Sequence, residues 1–210
     1  MVLDFAENYA CVAQDEIQAG HWTHDQATVH PIVSTYLCPT CTTPHIINHS
    51  LVFISEDRNH DYHAVNQFYQ QAVDFLAIDA SVPISKIVRF SDGCAAQYKC
   101  KGSFHDIGNS IHPMEHNYYG ARHGKGKSDG ESAVVKWRAT TAVKNGTEVI
   151  PDAQALFTYL EKTATIGTTD KNGTCTSYRR NMFWVPVGQI DRNHPCPNCC
   201  YEDCCYEDCC

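Results

Sequence analysis

Residues 86–93 read KIVRFSDG, and this stretch decides the fold of the chain. A short apolar run that ends in Ser-Asp-Gly is typical of a buried strand with an acid, Asp92, at its C-terminal end. Pro83 precedes the run, and CAAQYKCKG (94–102) follows it with the composition of one or two helical turns. The stretch therefore predicts an internal strand that ends on a carboxylate.

Upstream of this strand, the sequence predicts three earlier strands and a helix. Residues 1–13 show mixed alternation. The segments 30–37 and 49–55 are rich in β-branched and aromatic residues and flank the turn-like CPTCTTP (38–44), which predicts a hairpin. Apolar residues at helical spacing predict a helix over 61–76, whose buried stripe is Val65, Phe68, Tyr69, Ala72, Val73 and Leu76.

Downstream of the strand, HNYYGARHG (116–124) alternates aromatic and polar residues and predicts another strand. A helix is expected to begin at Ser128, because Ser128 and Glu131 have the spacing of a capping box. Asp129 falls in its first turn. The face of this helix toward the core is predicted to carry Val134, Trp137 and Thr141.

The C-terminal part of the chain is less regular. Pro151 introduces a predicted helix over 152–164, and NMFWVPVG (181–188) predicts a further strand. We divide the chain into a core over 1–165, an extension over 166–195 and a Cys-rich tail over 196–210. The stripe of the helix carries Ala153, Leu156, Phe157, Leu160 and Ala164.

The resulting order is strand, hairpin, helix, strand, short helix, strand, helix. A hairpin followed by alternating helices and strands implies a mixed sheet flanked by helices. This order is that of an RNase H-like fold, in which three leading strands precede a βα alternation. The predicted fold class is therefore α/β, an RNase H-like mixed sheet flanked by helices, with a Cys-rich C-terminal tail.

Three aspartates occupy positions that can converge in such a fold: Asp4 on the first strand, Asp92 at the end of the fourth, and Asp129 on the last helix of the core. Clustered carboxylates are the ligands that Mg²⁺ and Mn²⁺ prefer, and two such ions can drive phosphodiester displacement. Each acid also has a simpler explanation, as a solvated strand end, a Ser-Asp-Gly turn and a first-turn helix acid, respectively.

Three blocks resemble a known family. DFAENY (4–9), FSDGCAAQYK (90–99) and HGKGKSDG (123–130) are similar to blocks of transposon-derived eukaryotic proteins with a DDE/DDD-type transposase core. The resemblance implies that Asp4 and the two later aspartates bind catalytic metal, and that the function is DNA strand cleavage and transfer in a nucleus. Such proteins normally carry a separate DNA-binding domain, so we expect another domain or subunit to supply DNA affinity.

Basic and imidazole side chains flank the acids. His123 can steady a nucleophilic water or shuttle a proton, and Lys125 in the same glycine-rich loop can approach a phosphate. Lys99 follows Asp92 and can likewise touch a DNA backbone. The alternatives are a flexible glycine turn and ordinary solvated lysines.

Cysteines form a second pattern. Cys38-Pro-Thr-Cys41 and Cys196-Pro-Asn-Cys199 share a C-P-x-C spacing, and two such turns can complete a tetrahedral Zn²⁺ site. A site within the tail is the second possibility, and it uses Cys196, Cys199, Cys200, Cys204 and Cys205. The third explanation is a terminal duplication without function, because YEDCC occurs twice in tandem.

Composition bounds these hypotheses. The formal net charge of −8 lacks the basic footprint of a protein that binds duplex DNA unaided. No apolar run approaches the ~20 residues that span a bilayer, and the N-terminus lacks a secretory signal. We therefore expect an intracellular, nuclear protein with no membrane contact. The function is expected to be metal-dependent DNA cleavage and transfer. The alternatives are a catalytically inactive zinc-containing module that binds nucleic acid or protein, and a purely structural zinc protein.

Overall fold

A computed structural model describes residues 1–11, 25–120 and 126–192. These residues fall into two compact units. The larger unit contains residues 2–58 and 125–187 where they are described, and the smaller unit contains Met1, the described part of 59–124 and residues 188–192. The predicted α/β class is confirmed, because strands and helices alternate along the chain.

In chain order, the strands are β1 (Val2–Leu3), β2 (Tyr9–Ala10), β3 (Gln26–Leu37), β4 (Ile46–Ser55), β5 (Ile87–Ser91), β6 (Met114–Tyr118) and β7 (Tyr178–Trp184). The helices are α1 (Tyr62–Ile78), α2 (Lys101–Gly108), α3 (Lys127–Lys144) and α4 (Ala153–Ala164), and a short 3₁₀ turn spans Val187–Gln189. Among the described helices, none combines the length and apolar character needed to cross a lipid bilayer.

The larger unit is built on a mixed sheet. β3 and β4 form the predicted hairpin, with Ile32 opposite Leu51. β1 pairs antiparallel with the other side of β3, and β7 pairs parallel with β4. β2 pairs with the first residues of β3. The predicted single strand over 1–13 is therefore wrong in detail, because two separate two-residue strands, β1 and β2, lie on β3 at different points.

Helices α3 and α4 cover one face of this sheet and enclose the core of the larger unit. The predicted stripe of α4 is confirmed, with Leu156 and Leu160 fully buried. Asp152 caps this helix by accepting a hydrogen bond from the backbone N–H of Ala155 at 2.7 Å. The strand that follows begins earlier than predicted, at Tyr178, because its first residues pair with β4.

The predicted start and inner face of α3 are wrong. The helix begins at Lys127, and its capping contact runs from the backbone N–H of Gly126 to the carboxylate of Asp129. Two residues assigned to the core face are exposed, since Val134 shows 41% and Trp137 69% of its surface to solvent. The buried face instead consists of small and polar residues with few large apolar ones, namely Ser128, Glu131, Ser132, Val135, Ala139, Ala142 and Val143.

The smaller unit contains α1, β5, α2 and β6. β5 and β6 form a parallel pair, as strands joined through a helix must. The predicted stripe of α1 is confirmed, because all six predicted residues are buried. The side chain of Asp61 caps the helix by accepting a hydrogen bond from the backbone N–H of Ala64 at 2.9 Å.

Two boundaries in the smaller unit differ from prediction. Residues 94–100 form turns rather than a helix, and α2 begins only at Lys101. The strand predicted over 116–124 is β6, which starts at Met114. The N–H of Ile87 donates to the carbonyl of Pro113, and the parallel ladder between β5 and β6 begins there. The end of that predicted strand, residues 121–124, lies outside the described residues.

Candidate metal centre

Three cysteine side chains of the larger unit, Cys38, Cys41 and Cys175, form what we call the three-cysteine centre. Their sulfur atoms all lie within 4.8 Å of one another, and the Sγ atoms of Cys38 and Cys175 are 3.7 Å apart. Cys38 is buried, whereas the other two are half-buried. The cluster is therefore enclosed by the protein on one side and reachable from solvent on the other.

The sheet explains why residues so distant in sequence meet. Cys38 follows the last residue of β3, and its N–H donates to the carbonyl of His45 at 2.7 Å, which closes the β3–β4 hairpin. Because β7 runs parallel to β4, both strands begin at the end of the sheet where β3 stops. The N–H of Asn48 donates to the carbonyl of Ser177 at 2.8 Å. Cys175, just before β7, therefore lies beside the CPTC turn.

The geometry fits zinc. A Zn–S bond of about 2.3 Å with tetrahedral angles places two ligand sulfurs about 3.8 Å apart. The 3.7 Å separation of the Cys38 and Cys175 sulfurs agrees with this spacing. Soft thiolate ligands also disfavour Mg²⁺ and Ca²⁺, which prefer oxygen. The three-cysteine centre can thus hold a metal such as zinc.

Hydrogen bonds within the cluster prepare one thiolate for a metal. The hydroxyl of Thr40 lies 3.4 Å from the sulfur of Cys38. This hydrogen bond, helped by Cys41 and opposed by burial, lowers the pKa of Cys38 to about 5. The interaction with Cys38 conversely raises the pKa of Cys41 to about 12. At neutral pH the cluster without metal therefore contains a thiolate that accepts a hydrogen bond from a neighbouring thiol.

Arg179 adds a positive charge next to the sulfurs. Its guanidinium donates to the sulfur of Cys175 at 3.3 Å and to that of Cys38 at 3.8 Å. Burial disfavours the charge, but the contacts with sulfur outweigh it and raise the pKa of Arg179 overall. N–H groups that point at ligand sulfurs orient them and partly neutralise thiolate charge, as the outer shell of a metal site does.

Zinc takes four ligands, and the described residues bring together three cysteines. His45 stands at a C-x₂-C-x₃-H spacing, but its Nε2 is 3.3 Å from the hydroxyl of Ser177 and makes a hydrogen bond there. The predicted ligands Cys196 and Cys199 lie outside the described residues. A zinc site shared with the tail and a site within the tail both stay predictions.

The sequence prediction found two members of this centre and missed the third. Cys38 and Cys41 were expected to share a metal site, and the structure places them together. Cys175 was seen only as one cysteine among thirteen. Its one signal was its position shortly before a predicted strand, and the parallel pairing of that strand with β4 is not visible in local sequence.

The three predicted catalytic acids have distinct positions. Asp4 directly follows β1, and Asp129 lies in the first turn of α3, both in the larger unit. Asp92 directly follows β5 in the smaller unit. Its Oδ1 accepts a hydrogen bond from the N–H of Cys94 at 3.0 Å, as in a turn initiated by aspartate. The convergence of the three carboxylates stays a prediction.

The predicted DNA-contacting residues are only partly described. Lys99 holds its ammonium 4.5 Å from the centre of the Tyr118 ring. A Cβ atom at Gly93, the residue after Asp92, would lie 3.0 Å from the same ammonium. The charge of Lys99 therefore lies beside the end of β5, and its contact with a DNA backbone stays a prediction. His123 and Lys125 lie outside the described residues.

A buried ion pair in the larger unit was not foreseen. Arg180 on β7 donates to both carboxylate oxygens of Glu131 on α3, at 2.7 and 3.2 Å, and to the carbonyl of Ala164 at 3.1 Å. Both charged side chains are almost fully buried. Burial favours the neutral acid, but the hydrogen bonds from Arg180 and Tyr178 outweigh it and lower the pKa of Glu131. This pair connects α3, α4 and β7.

Comparison with known proteins gives a family without an assigned activity. Residues 1–173 match the family described as a domain of unknown function, DUF8701, and the chain belongs to that family. The match includes Cys38 and Cys41, whereas Cys175 lies two positions beyond it. No curated protein and no solved structure matches the chain.

Proposed function

We propose that this chain is a metal-dependent core that cleaves and transfers DNA strands, with an RNase H-like fold and a separate zinc centre. One observation carries the proposal: each predicted acid stands at a strand end or helix start. Asp4 and Asp92 are the first residues after β1 and β5, and Asp129 is the third residue of α3. Acids at such positions are available to a metal ion without distortion of the elements that precede or carry them.

The arrangement within each unit supports the RNase H-like part of the proposal. In the larger unit, β1, β3 and β4 are neighbours in the sheet and pair antiparallel, as the three leading strands of that fold do. In the smaller unit, β5 and β6 are parallel and are connected through α2. Helix α3 packs against β3 and β1. The helix that carries Asp129 therefore contacts the strand that Asp4 directly follows.

The aspartates fit Mg²⁺ or Mn²⁺ by their chemistry, because these ions take carboxylate and water oxygens. When bound, such ions activate a nucleophile and stabilise the leaving oxygen of a phosphodiester. The backbone orients two of the ligands. The N–H of Cys94 holds one oxygen of Asp92, and the N–H of Gly126 holds one oxygen of Asp129, both at 3.0 Å. The second oxygen of each carboxylate is not used by that bond.

The surrounding side chains have proposed roles on DNA. Lys99, beside the end of β5, contacts a backbone phosphate, and Lys125 and His123, which precede α3 in the sequence, assist on the same DNA. Because the net charge of the chain is −8, a further domain or subunit supplies most of the DNA affinity. A nuclear location follows from the same proposal.

The test is nicking of supercoiled plasmid during a Mn²⁺ titration. We compare the wild type with Asp92→Asn and with a matched control, Asp74→Asn, at an exposed position of α1. The proposal expects Asp92→Asn to lose at least about 100-fold in rate, since removal of a metal ligand acts on the chemical step, while the control keeps the wild-type rate. Equal cleavage by all three proteins would contradict the assigned role of Asp92.

A second candidate is a zinc-stabilised module that binds nucleic acid or protein without catalysis. The three-cysteine centre favours it, because these metal ligands are brought together by the fold of the larger unit and do not depend on the predicted catalytic acids. This candidate expects one zinc per folded chain and no nicking by any of the three proteins at any Mn²⁺ concentration. Nicking that depends on Asp92 rejects it.

A further inference from the structure

The smaller unit contains a buried guanidinium that forms no ion pair with an acid in the described part of the chain. Arg89 on β5 is 5% exposed. Among the described residues, no carboxylate oxygen lies within 4.0 Å of the Arg89 nitrogens. In the same unit, Lys86 pairs with Glu115 and Arg192 with Asp61 within that distance. Burial disfavours this charge and lowers the pKa of Arg89, yet a guanidinium stays protonated in a protein. A buried charge without a partner is costly and calls for a compensating anion.

The contacts that Arg89 does make leave polar atoms unsatisfied. Its Cζ lies 4.9 Å from the centre of the Tyr69 ring, and one terminal nitrogen donates to Nδ1 of His116 at 3.0 Å. Its Nε–H, however, is buried with no hydrogen-bond partner within residues 1–11, 25–120 and 126–192. Within the same ranges, the hydroxyl of Tyr69, a residue that is 3% exposed, is buried without a partner as well.

Both groups line one pocket that opens to solvent. α1, β5 and α2 form its walls. Besides Arg89 and Tyr69, the polar groups that line it come from α1 and α2, namely Tyr62, Asn66, Gln70, Ser103 and Asp106. A guanidinium with hydroxyl and amide groups around it can recognise an oxyanion.

We propose that this pocket binds a phosphodiester group, with Arg89 as its principal ligand and the hydroxyl of Tyr69 as a second donor. The inference rests on the proposed function, because that function supplies a DNA backbone as the source of the diester. The planar guanidinium donates two N–H groups in a fork that matches two phosphate oxygens.

The charge around the pocket selects a singly charged group. Arg89 contributes one positive charge, and Asp106 on the opposite wall contributes a carboxylate, which accepts a hydrogen bond from Tyr62 at 2.9 Å. His116 is neutral, since burial, Arg89 and Lys99 lower its pKa to about 3. With Asp106 in the wall, a diester leaves one negative charge uncompensated and a dianionic phosphomonoester would leave two, so the pocket favours the singly charged group.

A chain of hydrogen bonds connects this pocket to the end of β5. Because Arg89 donates to Nδ1 of His116, the neutral ring carries its proton on Nε2, which donates to the hydroxyl of Ser91 at 2.8 Å. Ser91 in turn donates to the carbonyl of Asp92 at 2.9 Å. A diester held by Arg89 therefore contacts the same hydrogen-bond network that reaches the backbone carbonyl of Asp92.

The experiment follows the Nε–H signal of Arg89 by NMR in the full chain. The probes are dimethyl phosphate, the dinucleotide d(TpT), sodium acetate and the uncharged trimethyl phosphate. We expect saturable shifts with the first two probes and none with trimethyl phosphate. Arg89→Met should weaken binding of d(TpT) at least tenfold. Lys86→Met, which removes an equal charge from an exposed residue of the same unit, should leave binding unchanged.

Three outcomes overturn the inference. Equal loss of binding in Lys86→Met would mean that the probe senses only overall charge. Tighter binding of acetate than of dimethyl phosphate would assign the pocket to carboxylates. The absence of any shift in the wild type rejects the site even if Arg89→Met does not fold. Asp92→Asn should still bind d(TpT), because it keeps Arg89. If the wild type binds d(TpT) but does not nick plasmid, the proposed catalytic function is rejected and the pocket remains.

Discussion

Two buried arginines of this protein face opposite situations. In the larger unit, Arg180 meets both oxygens of Glu131 and a backbone carbonyl, so its charge is compensated by the protein itself. In the smaller unit, Arg89 is equally buried, but its contacts with described residues are a tyrosine face and a neutral histidine. The charge of Arg180 is compensated within the fold, whereas that of Arg89 requires a bound anion.

The difference distinguishes a charge that stabilises the fold from a charge that binds a ligand. A buried guanidinium that connects three elements through protein acceptors stabilises the arrangement of those elements. One with an unsatisfied Nε–H at the wall of a pocket lowers stability while the pocket is empty and gains an acceptor when an anion enters. Substitutions at the two sites should therefore act in different ways on folding.

The largest effect is expected for Glu131→Gln. This change leaves the charge of Arg180 buried without a counter-charge, which costs about 3–5 kcal/mol in comparable pairs. The measurement is the free energy of unfolding in urea. Glu161→Gln, at an exposed position of α4, is the matched control and should stay within about 0.5 kcal/mol of the wild type. A loss below about 1 kcal/mol at Glu131 is the range of an ordinary surface pair. Such a result would mean that the ion pair does not hold α3, α4 and β7 together.

Zinc should stabilise the larger unit next most strongly. At a free concentration about 100 times its Kd, a ligand that binds only the folded state adds about 2.7 kcal/mol. We expect this gain for the wild type and its loss in Cys175→Ser. Cys94→Ser, a half-buried thiol of the smaller unit, should keep the gain. Hydrogen exchange should show added protection in β3, β4 and β7. An unchanged zinc response in Cys175→Ser would contradict the three-cysteine centre.

A smaller effect is expected from pH through His116. Its folded pKa of about 3 lies below the ordinary value of 6.5, so the unfolded chain takes up the proton first and stability falls as pH drops below about 6.5. One proton gives at most about 1.4 kcal/mol per pH unit, and solvent screening of this half-buried ring reduces that by roughly half. Between about pH 6.5 and 5, the wild type should lose about 1 kcal/mol more than His116→Gln. Parallel pH profiles would refute this assignment.

The smallest effect is expected for Arg89→Met. The substitution removes a desolvated charge and keeps much of the apolar stem, so stability should rise slightly, by less than about 1 kcal/mol, in the absence of ligand. Thermal unfolding of the two proteins in an anion-free buffer measures this difference. A loss as large as that of Glu131→Gln would make the two arginines equivalent and remove the basis of the comparison.

The predictable part of the fold was encoded locally. The stripe of α1, with Val65, Phe68 and Leu76, is strongly apolar at helical spacing, and its buried face followed directly. The hairpin of β3 and β4 followed from two β-rich segments around a short turn. Asp92 at the end of β5 was likewise visible in the pattern of one stretch.

The missed features depend on residues far apart in sequence. The inner face of α3 carries Glu131, which is buried because Arg180, 49 positions later, pairs with it. Periodicity therefore assigned Trp137 to the core although it is 69% exposed. Cys175 entered the metal centre through the parallel pairing of β7 with β4, and local composition gives no signal for that pairing.

The three-cysteine centre also bears on the order of folding. The CPTC turn forms with its hairpin, but Cys175 arrives across a separation of 137 residues, when β7 joins the edge of the sheet. Contacts over such distances form slowly, because closing a long chain segment reduces its freedom before any contact is gained. A metal held by all three sulfurs would thus keep β7 attached to the sheet. The dissociation rate of the metal would report how often β7 detaches.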